Sequence, residues 1–269
     1  MSLALFHREL GGEVREGREL KEGQPPLVIL HGLLGSSRNW QTAGRDLSAA
    51  ARVFALDLRN HGRSPHAGPM DHASMAGDVL AWLDAQNLSA PVDLLGHSMG
   101  GRVAMWLACH HPERVRRLIA VDTTPRAYVW PDGRPEFAAM NALDLRTLTS
   151  RTEAERQMEP WVKDWGMRKF LATNLERDEA GQWRWTINLP VITAALPALE
   201  SQVLAAPDRF EGEAHVIACG RSPYVRAEDH ETIRAHFPHA QITTLPESGH
   251  NPHMEARERF VQIVLSIIA

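Results

Sequence analysis

The stretch Val92-Asp93-Leu94-Leu95-Gly96-His97-Ser98-Met99-Gly100-Gly101-Arg102 decides the fold. Its first residues, Val92 to Leu95, form a mostly apolar run of the kind that suits a strand buried on both faces of a sheet. That run passes through a Gly-x-Ser-x-Gly turn into the helix-like segment Met99 to His111. A turn this tight leaves no room for a Cβ at Gly96 or Gly100, and it lifts the Ser98 hydroxyl above the end of the sheet. Ser98 is therefore a candidate nucleophile, with plain helix capping as its competing role.

The same alternation extends outward in both directions. Short β-rich apolar runs recur at Leu27 to Leu30, Val53 to Leu56, Leu118 to Val121, His215 to Cys219 and Ile242 to Leu245. Between them lie helix-like stretches at Ala73 to Asn87, Arg226 to His236 and Glu255 to Ile267. Val79, Leu80, Trp82 and Leu83 recur at helical spacing, and Pro112 stops the helix that follows Ser98. Strand and helix in alternation predict a mostly parallel sheet covered by helices on both faces. Leu3 to Glu19 is expected to add an antiparallel edge hairpin. The rhythm breaks after Thr124, where the chain turns helical and aromatic as far as Ala206, punctuated by Pro160, Pro190 and Pro197. An insertion that long predicts a helical cap over 126–205, set into a core made of 1–125 and 206–269. Most of its aromatics serve the cap's own small core, and a few, drawn from Trp130, Trp161, Trp165 and Trp185, face the cleft.

Composition narrows the function. The chain has 269 residues, 43% apolar and 23% charged, which fits a globular α/β domain and excludes disorder and coiled coil. Its longest apolar stretch, Val103 to Cys109, is far short of the ~18 residues of a membrane span. Leu3 to Phe6 is too short for a secretion signal. With a net charge of −4 and no long basic run, nucleic acid is not an expected partner. Two isolated cysteines, Cys109 and Cys219, offer neither a disulfide framework nor a redox motif, so a cytoplasmic setting is expected. His110 and His111 diverge on one helix, and no His-Glu-x-x-His pattern occurs, so neither a metal nor a cofactor is expected.

The remaining chemistry belongs to acyl transfer. His31-Gly32-Leu33-Leu34-Gly35 follows the strand Leu27 to Leu30, where the Leu33 amide and the Met99 amide can together receive a developing oxyanion. His31 braces that loop rather than acting as base. The base is expected on a loop after a strand downstream of the nucleophile, which selects His250, with His253 as a local packing residue.

The segments from His31 (HGLLGSSRNW), Asp57 (DLRNHGRSPH), Leu94 (LLGHSMGGRVAM), Val115 (VRRLIAVDTTP) and Pro246 (PESGHNPHMEARERF) resemble an α/β-hydrolase, and closely the small bacterial serine esterases of the YbfF type. The resemblance spans the whole catalytic core and is loosest in the cap. It implies hydrolysis of carboxylic esters, and of some acyl-CoA thioesters, through Ser, His and Asp without a cofactor.

Two positions compete for the acid. After the strand His215 to Cys219 the sequence reads Gly220-Arg221-Ser222-Pro223-Tyr224, where most α/β-hydrolases carry a carboxylate; Glu228 and Asp229 come only later, at a helix start where acids often serve the dipole. Asp122 ends the strand Leu118 to Val121, at the sheet edge where such folds bind ligands, and the resemblance implies the acid there. Ser222 is then placed to donate a hydrogen bond to it. Other functions share these residues. Gly100-Gly101-Arg102 also resembles the SHCHC synthase of menaquinone synthesis, a lyase whose arginine beside the nucleophile suits an anionic substrate. A non-catalytic binding module on the same fold is the reading from another class, and the presence of both Ser98 and His250 speaks against it.

Overall fold

The computed structural model describes residues 2–11 and 24–269. Among them are the strands β1 (His7–Leu10), β2 (Leu27–Leu30), β3 (Val53–Leu56), β4 (Val92–His97), β5 (Val115–Val121), β6 (Leu175–Arg177), β7 (Trp183–Trp185), β8 (Glu213–Cys219) and β9 (Gln241–Leu245). Seven of these form one sheet in the order β1-β3-β2-β4-β5-β8-β9, parallel throughout except for β1, which runs antiparallel to β3. Thus β1 supplies the first arm of the expected edge hairpin; its returning arm falls on residues outside those described.

The core helices are α1 (Gln41–Leu47), α2 (His72–Ala85), α3 (Met99–His110) and, after an insertion, α8 (Asp229–His236), α9 (Pro252–Glu255) and α10 (Arg257–Ile268); the insertion holds α4 (Pro135–Ala142), α5 (Arg151–Met158), α6 (Trp165–Ala172) and α7 (Leu189–Glu200). Side chains along a strand alternate between faces, and the two cores follow that alternation. Leu27, Ile29, Val53, Ala55, Leu95 and Ile119 pack with Leu47 of α1 and Phe260 and Val264 of α10. On the other face, Val28, Leu30, Phe54, Leu94 and Leu118 pack with Val79 of α2 and Val103 of α3. Strands covered on both sides read as apolar runs, which is why they were visible in the sequence.

Several boundaries differ from expectation for identifiable reasons. The helix expected from Arg226 begins at Asp229, because the Asp229 carboxylate accepts the Arg226 amide at 2.8 Å and closes a turn first. The last helix is two, separated at Ala256 with φ −134° and ψ 44°. The insertion is helical apart from the antiparallel pair β6 and β7. Pro197 lies inside α7 rather than ending it, while Pro190 stands at that helix's first turn, where its missing N–H is not needed. Trp161 and Trp165 are 44% and 58% exposed, so neither belongs to the insertion's core. Among the described residues no helix is long and apolar enough to cross a membrane.

The chain order changes direction at β2: β3 lies on one side of it and β4 on the other. Ligands of open parallel sheets bind at the carboxyl ends of the strands around such a switch point. The sequence-expected site residues follow those ends.

Candidate active site

Register builds the site. His97 pairs with Val121 across β4 and β5, so the next residues, Ser98 and Asp122, emerge side by side at the top of the sheet. Both leave their strands in the left-handed region, at φ 51° and φ 48°, where a side chain is strained unless its surroundings hold it. The Ser98 amide donates to Val121 O at 3.0 Å and the Asp122 amide to Ile217 O at 2.8 Å, which locks both turns onto neighbouring strands. A Cβ on Gly96 would stand 2.3 Å from Gly100 O, and one on Gly100 2.4 Å from Leu30 O; both positions require glycine.

His250, on the loop after β9, reaches back over β8. Its Nε2 accepts the Ser98 hydroxyl at 3.0 Å, and its Nδ1–H donates to Asp122 Oδ2 at 2.7 Å. The Asp122 carboxylate is fully buried and also accepts the Cys219 amide at 3.1 Å and the Ser222 hydroxyl. Glu228 and Asp229 lie elsewhere. Asp229 is buried and paired with Arg126 at 2.5 Å, and Glu228 is exposed beside Arg226. The Leu33 residue lines the cavity that contains Ser98 and His250, and Met99 opens α3 directly after Ser98. Among the described residues neither amide donates to another backbone group outside a helix or strand.

Residues 25–151 match the family model of the alpha/beta hydrolase fold. Over 240 residues the chain is 32% identical to esterase YbfF of Escherichia coli, covering 89% of this chain and 91% of that protein. The chain belongs to the α/β-hydrolase family, as one of the YbfF type. It is 36% identical over 252 residues to the sn-1-specific diacylglycerol lipase ABHD11 of Xenopus tropicalis, covering 91% of this chain and 78% of that protein. Among solved structures it superposes on a marine microorganism esterase with a TM-score of 0.91 and 34% identity, covering 98% and 99% of the two chains.

Around the site of this α/β-hydrolase stand neutral histidines with structural duties. His31 donates from Nδ1 to Gly32 O at 2.8 Å and accepts the Leu58 amide at 3.0 Å, bracing the Leu33 loop as expected. Sequence reasoning missed its partner, His61, which accepts the Leu34 amide at 3.2 Å. Burial lowers the pKa of His31 and takes His61 down to about 3, so both stay uncharged and His61 stays able to accept. His97 donates to His250 O at 2.7 Å, holding the loop that carries that ring. His253 stacks on Trp40 at 4.2 Å; burial lowers it to about 3.

Arg102 does not reach the cavity. Its guanidinium is spent on the carbonyls of Thr124 at 3.1 Å, Arg126 at 2.7 Å and Ser201, and so ties α3 to both crossings of the insertion. The anionic-substrate role that the lyase reading gives it has no geometric basis.

Tyr224 was not among the expected site residues. Its ring stacks on His250 at 3.9 Å with 13° between planes, and its amide donates to Ser222 Oγ at 3.3 Å. One short loop therefore meets both the imidazole and the carboxylate. The π face of a tyrosine stabilises a cation held over it, by about 0.5 to 1 kcal/mol where partly exposed. Tyr224→Leu is accordingly expected to lower kcat about threefold with KM little changed, and Tyr224→Phe, which keeps the face, to restore it. Equal losses in both variants would mean that the hydroxyl or the packing matters instead.

Proposed function

We propose that this α/β-hydrolase is a serine carboxylesterase in which Ser98, His250 and Asp122 form the catalytic triad, Leu33 and Met99 the oxyanion hole, and Ser222 an assistant to the acid. One observation carries the reading: a single imidazole bridges a strained serine hydroxyl at 3.0 Å and a buried carboxylate at 2.7 Å. In the first half-reaction His250 Nε2 takes the Ser98 proton as Oγ attacks the ester carbonyl. The two amides hold the oxyanion, and the C–O bond breaks as the imidazolium returns the proton to the leaving alcohol. Water, deprotonated by the same nitrogen, then attacks the acyl-enzyme and releases the acid and free Ser98. Asp122 fixes the tautomer with Nδ1–H toward itself. The same steps serve thioesters, with a thiol leaving. A cytoplasmic setting is part of this reading.

The residues between β5 and β8 act as a cap. Arg134, Glu136, Met167 and Phe170 from this segment line the cavity beside Ser98, whereas the four tryptophans singled out from the sequence do not. That cavity measures about 70 Å³, well below the roughly 300 Å³ at which enclosed sites for drug-sized ligands begin. Short acyl groups are favoured. Among p-nitrophenyl esters, acetate and butyrate are expected to exceed dodecanoate in kcat/KM by about tenfold or more. A profile rising with length would refute the short-acyl assignment, and no turnover of any ester would refute the esterase.

A further inference from the structure

The loop that carries Leu33 is braced from the insertion. Leu34 is buried and left-handed, at φ 61°, a conformation that a leucine keeps only when its surroundings hold it. Both of its backbone polar groups are taken: its amide donates to His61 Nε2 at 3.2 Å, and its carbonyl accepts from Asn174 Nδ2 at 2.9 Å. Asn174 lies between α6 and β6, is 4% exposed, and directs the same nitrogen to Leu171 O at 3.4 Å. Both neighbours are carbonyls, which only the NH2 side of its amide can meet. The backbone of Asn174 is fixed as well, its amide donating to Leu171 O at 3.1 Å and its carbonyl accepting the Thr186 amide at 2.7 Å.

The contact does not end at Leu34. The peptide that gives its carbonyl to Asn174 gives its N–H, that of Gly35, to Gly32 O at 3.0 Å. Gly32 O in turn belongs to the peptide whose N–H is that of Leu33. Three amides thus stand head to tail, from the Asn174 side chain through Leu34–Gly35 to Gly32–Leu33, and the donor at the far end is the Leu33 amide. Hydrogen-bonded chains of this kind polarise one another, so an amide whose carbonyl is engaged donates more strongly at its nitrogen. His31 Nδ1–H adds a second donor to Gly32 O at 2.8 Å and holds the last peptide from another side.

We propose that Asn174 is a positioning residue for the oxyanion hole: from the insertion it orients and polarises the Leu33 amide through the two intervening peptides. The inference rests on the serine-esterase reading and adds to it a contribution of the insertion to the chemical step. Acylation and deacylation both pass through an oxyanion, so a weaker donor slows both, and kcat falls while KM stays. A second asparagine provides the contrast. Asn188 joins the insertion to the loop after β3, its amide donating to Asn60 O at 2.9 Å and its Nδ2 to Asn60 Oδ1 at 3.2 Å, without entering the chain of amides.

Asn174→Ala is expected to lower kcat for p-nitrophenyl acetate about tenfold, with KM within about twofold; removal of a whole oxyanion donor costs about a hundredfold or more. Ethyl trifluoromethyl ketone supplies a second readout. Ser98 Oγ adds to its carbonyl carbon, the serine proton passes to His250, and the ketone oxygen becomes the oxyanion, so inhibition should weaken about tenfold in step with kcat. Asn188→Ala should stay within about twofold of the wild type in all three quantities. Asn174→Leu fills the space without a donor and should match Asn174→Ala, which keeps the test open if circular dichroism shows the smaller variant misfolded. Undiminished kcat in a folded Asn174 variant, equal losses with a raised KM in the Asn188 variant, or failure of both Asn174 variants to fold overturns the proposal. No turnover by the wild type removes the esterase reading and this inference together, whereas wild-type turnover that Asn174→Ala leaves unchanged removes the inference alone.

Discussion

Ser98→Ala is expected to lower kcat for p-nitrophenyl acetate by on the order of 10⁶, the scale found when a triad serine is removed from a protease. On the proposed mechanism the loss is this large because the Ser98 hydroxyl is the atom that forms the covalent bond. A residual rate on the order of 10³ over water is expected from the oxyanion donors and binding alone. A fluorophosphonate probe should label Ser98 in the wild type and nothing in the variant. Labelling at another serine, or undiminished turnover, would refute the assignment. The fold should survive the change, since Ser98 makes no side-chain cap for α3 and keeps its amide bond to Val121 O.

The second large effect belongs to the acid. Asp122→Asn should cost about 10⁴ in kcat, as the loss of a triad aspartate does elsewhere, because an amide can turn its NH2 toward Nδ1 and select the wrong tautomer, and carries no charge to stabilise the imidazolium. Ser222→Ala, which removes one hydrogen bond from a hydroxyl to the carboxylate, should cost about tenfold. Glu228→Gln with Asp229→Asn provides the contrast. That variant should retain kcat within a few-fold yet melt at lower temperature, since it breaks the buried pair between Asp229 and Arg126. Circular dichroism separates the two kinds of loss. An inactive but folded double variant beside an active Asp122→Asn would move the acid to the loop after β8.

Legibility followed burial and proximity in sequence. The central parallel strands were readable because both faces are covered, leaving runs such as Leu27 to Leu30 with nothing polar in them, whereas three of the five residues of the edge strand β9 are exposed. Ser98 was readable because its glycines are fixed by backbone contacts within a few residues and across one strand. Asp122 and Ser222 depended on counting from strand ends, which works when register aligns those ends. Other features had no local signature. Helix α1 buries only Ala43, Gly44 and Leu47, too few for a periodic stripe. The strands β6 and β7 are three residues each, and Trp183-Arg184-Trp185 reads equally well as helix. Tyr224 is a lone aromatic in a loop until the fold lays it on His250. A larger cavity, which Arg8, Arg63 and Lys169 help to line, collects residues from 8 to 186, and no window of sequence contains more than a fraction of it.

The two left-handed residues at the strand ends set stability against activity. Each non-glycine in such a conformation costs up to a few kcal/mol, less for aspartate than for serine, and glycine would relieve it at no steric cost. Backbone strain alone would favour glycine at both positions, but the Asp122 carboxylate also holds the Cys219 amide, the Ser222 hydroxyl and His250, whereas among the described residues the Ser98 hydroxyl meets only His250. Only the side chains justify the strain. A sequence optimised for thermal endurance alone would therefore drift first at Ser98, the position the proposed chemistry needs most.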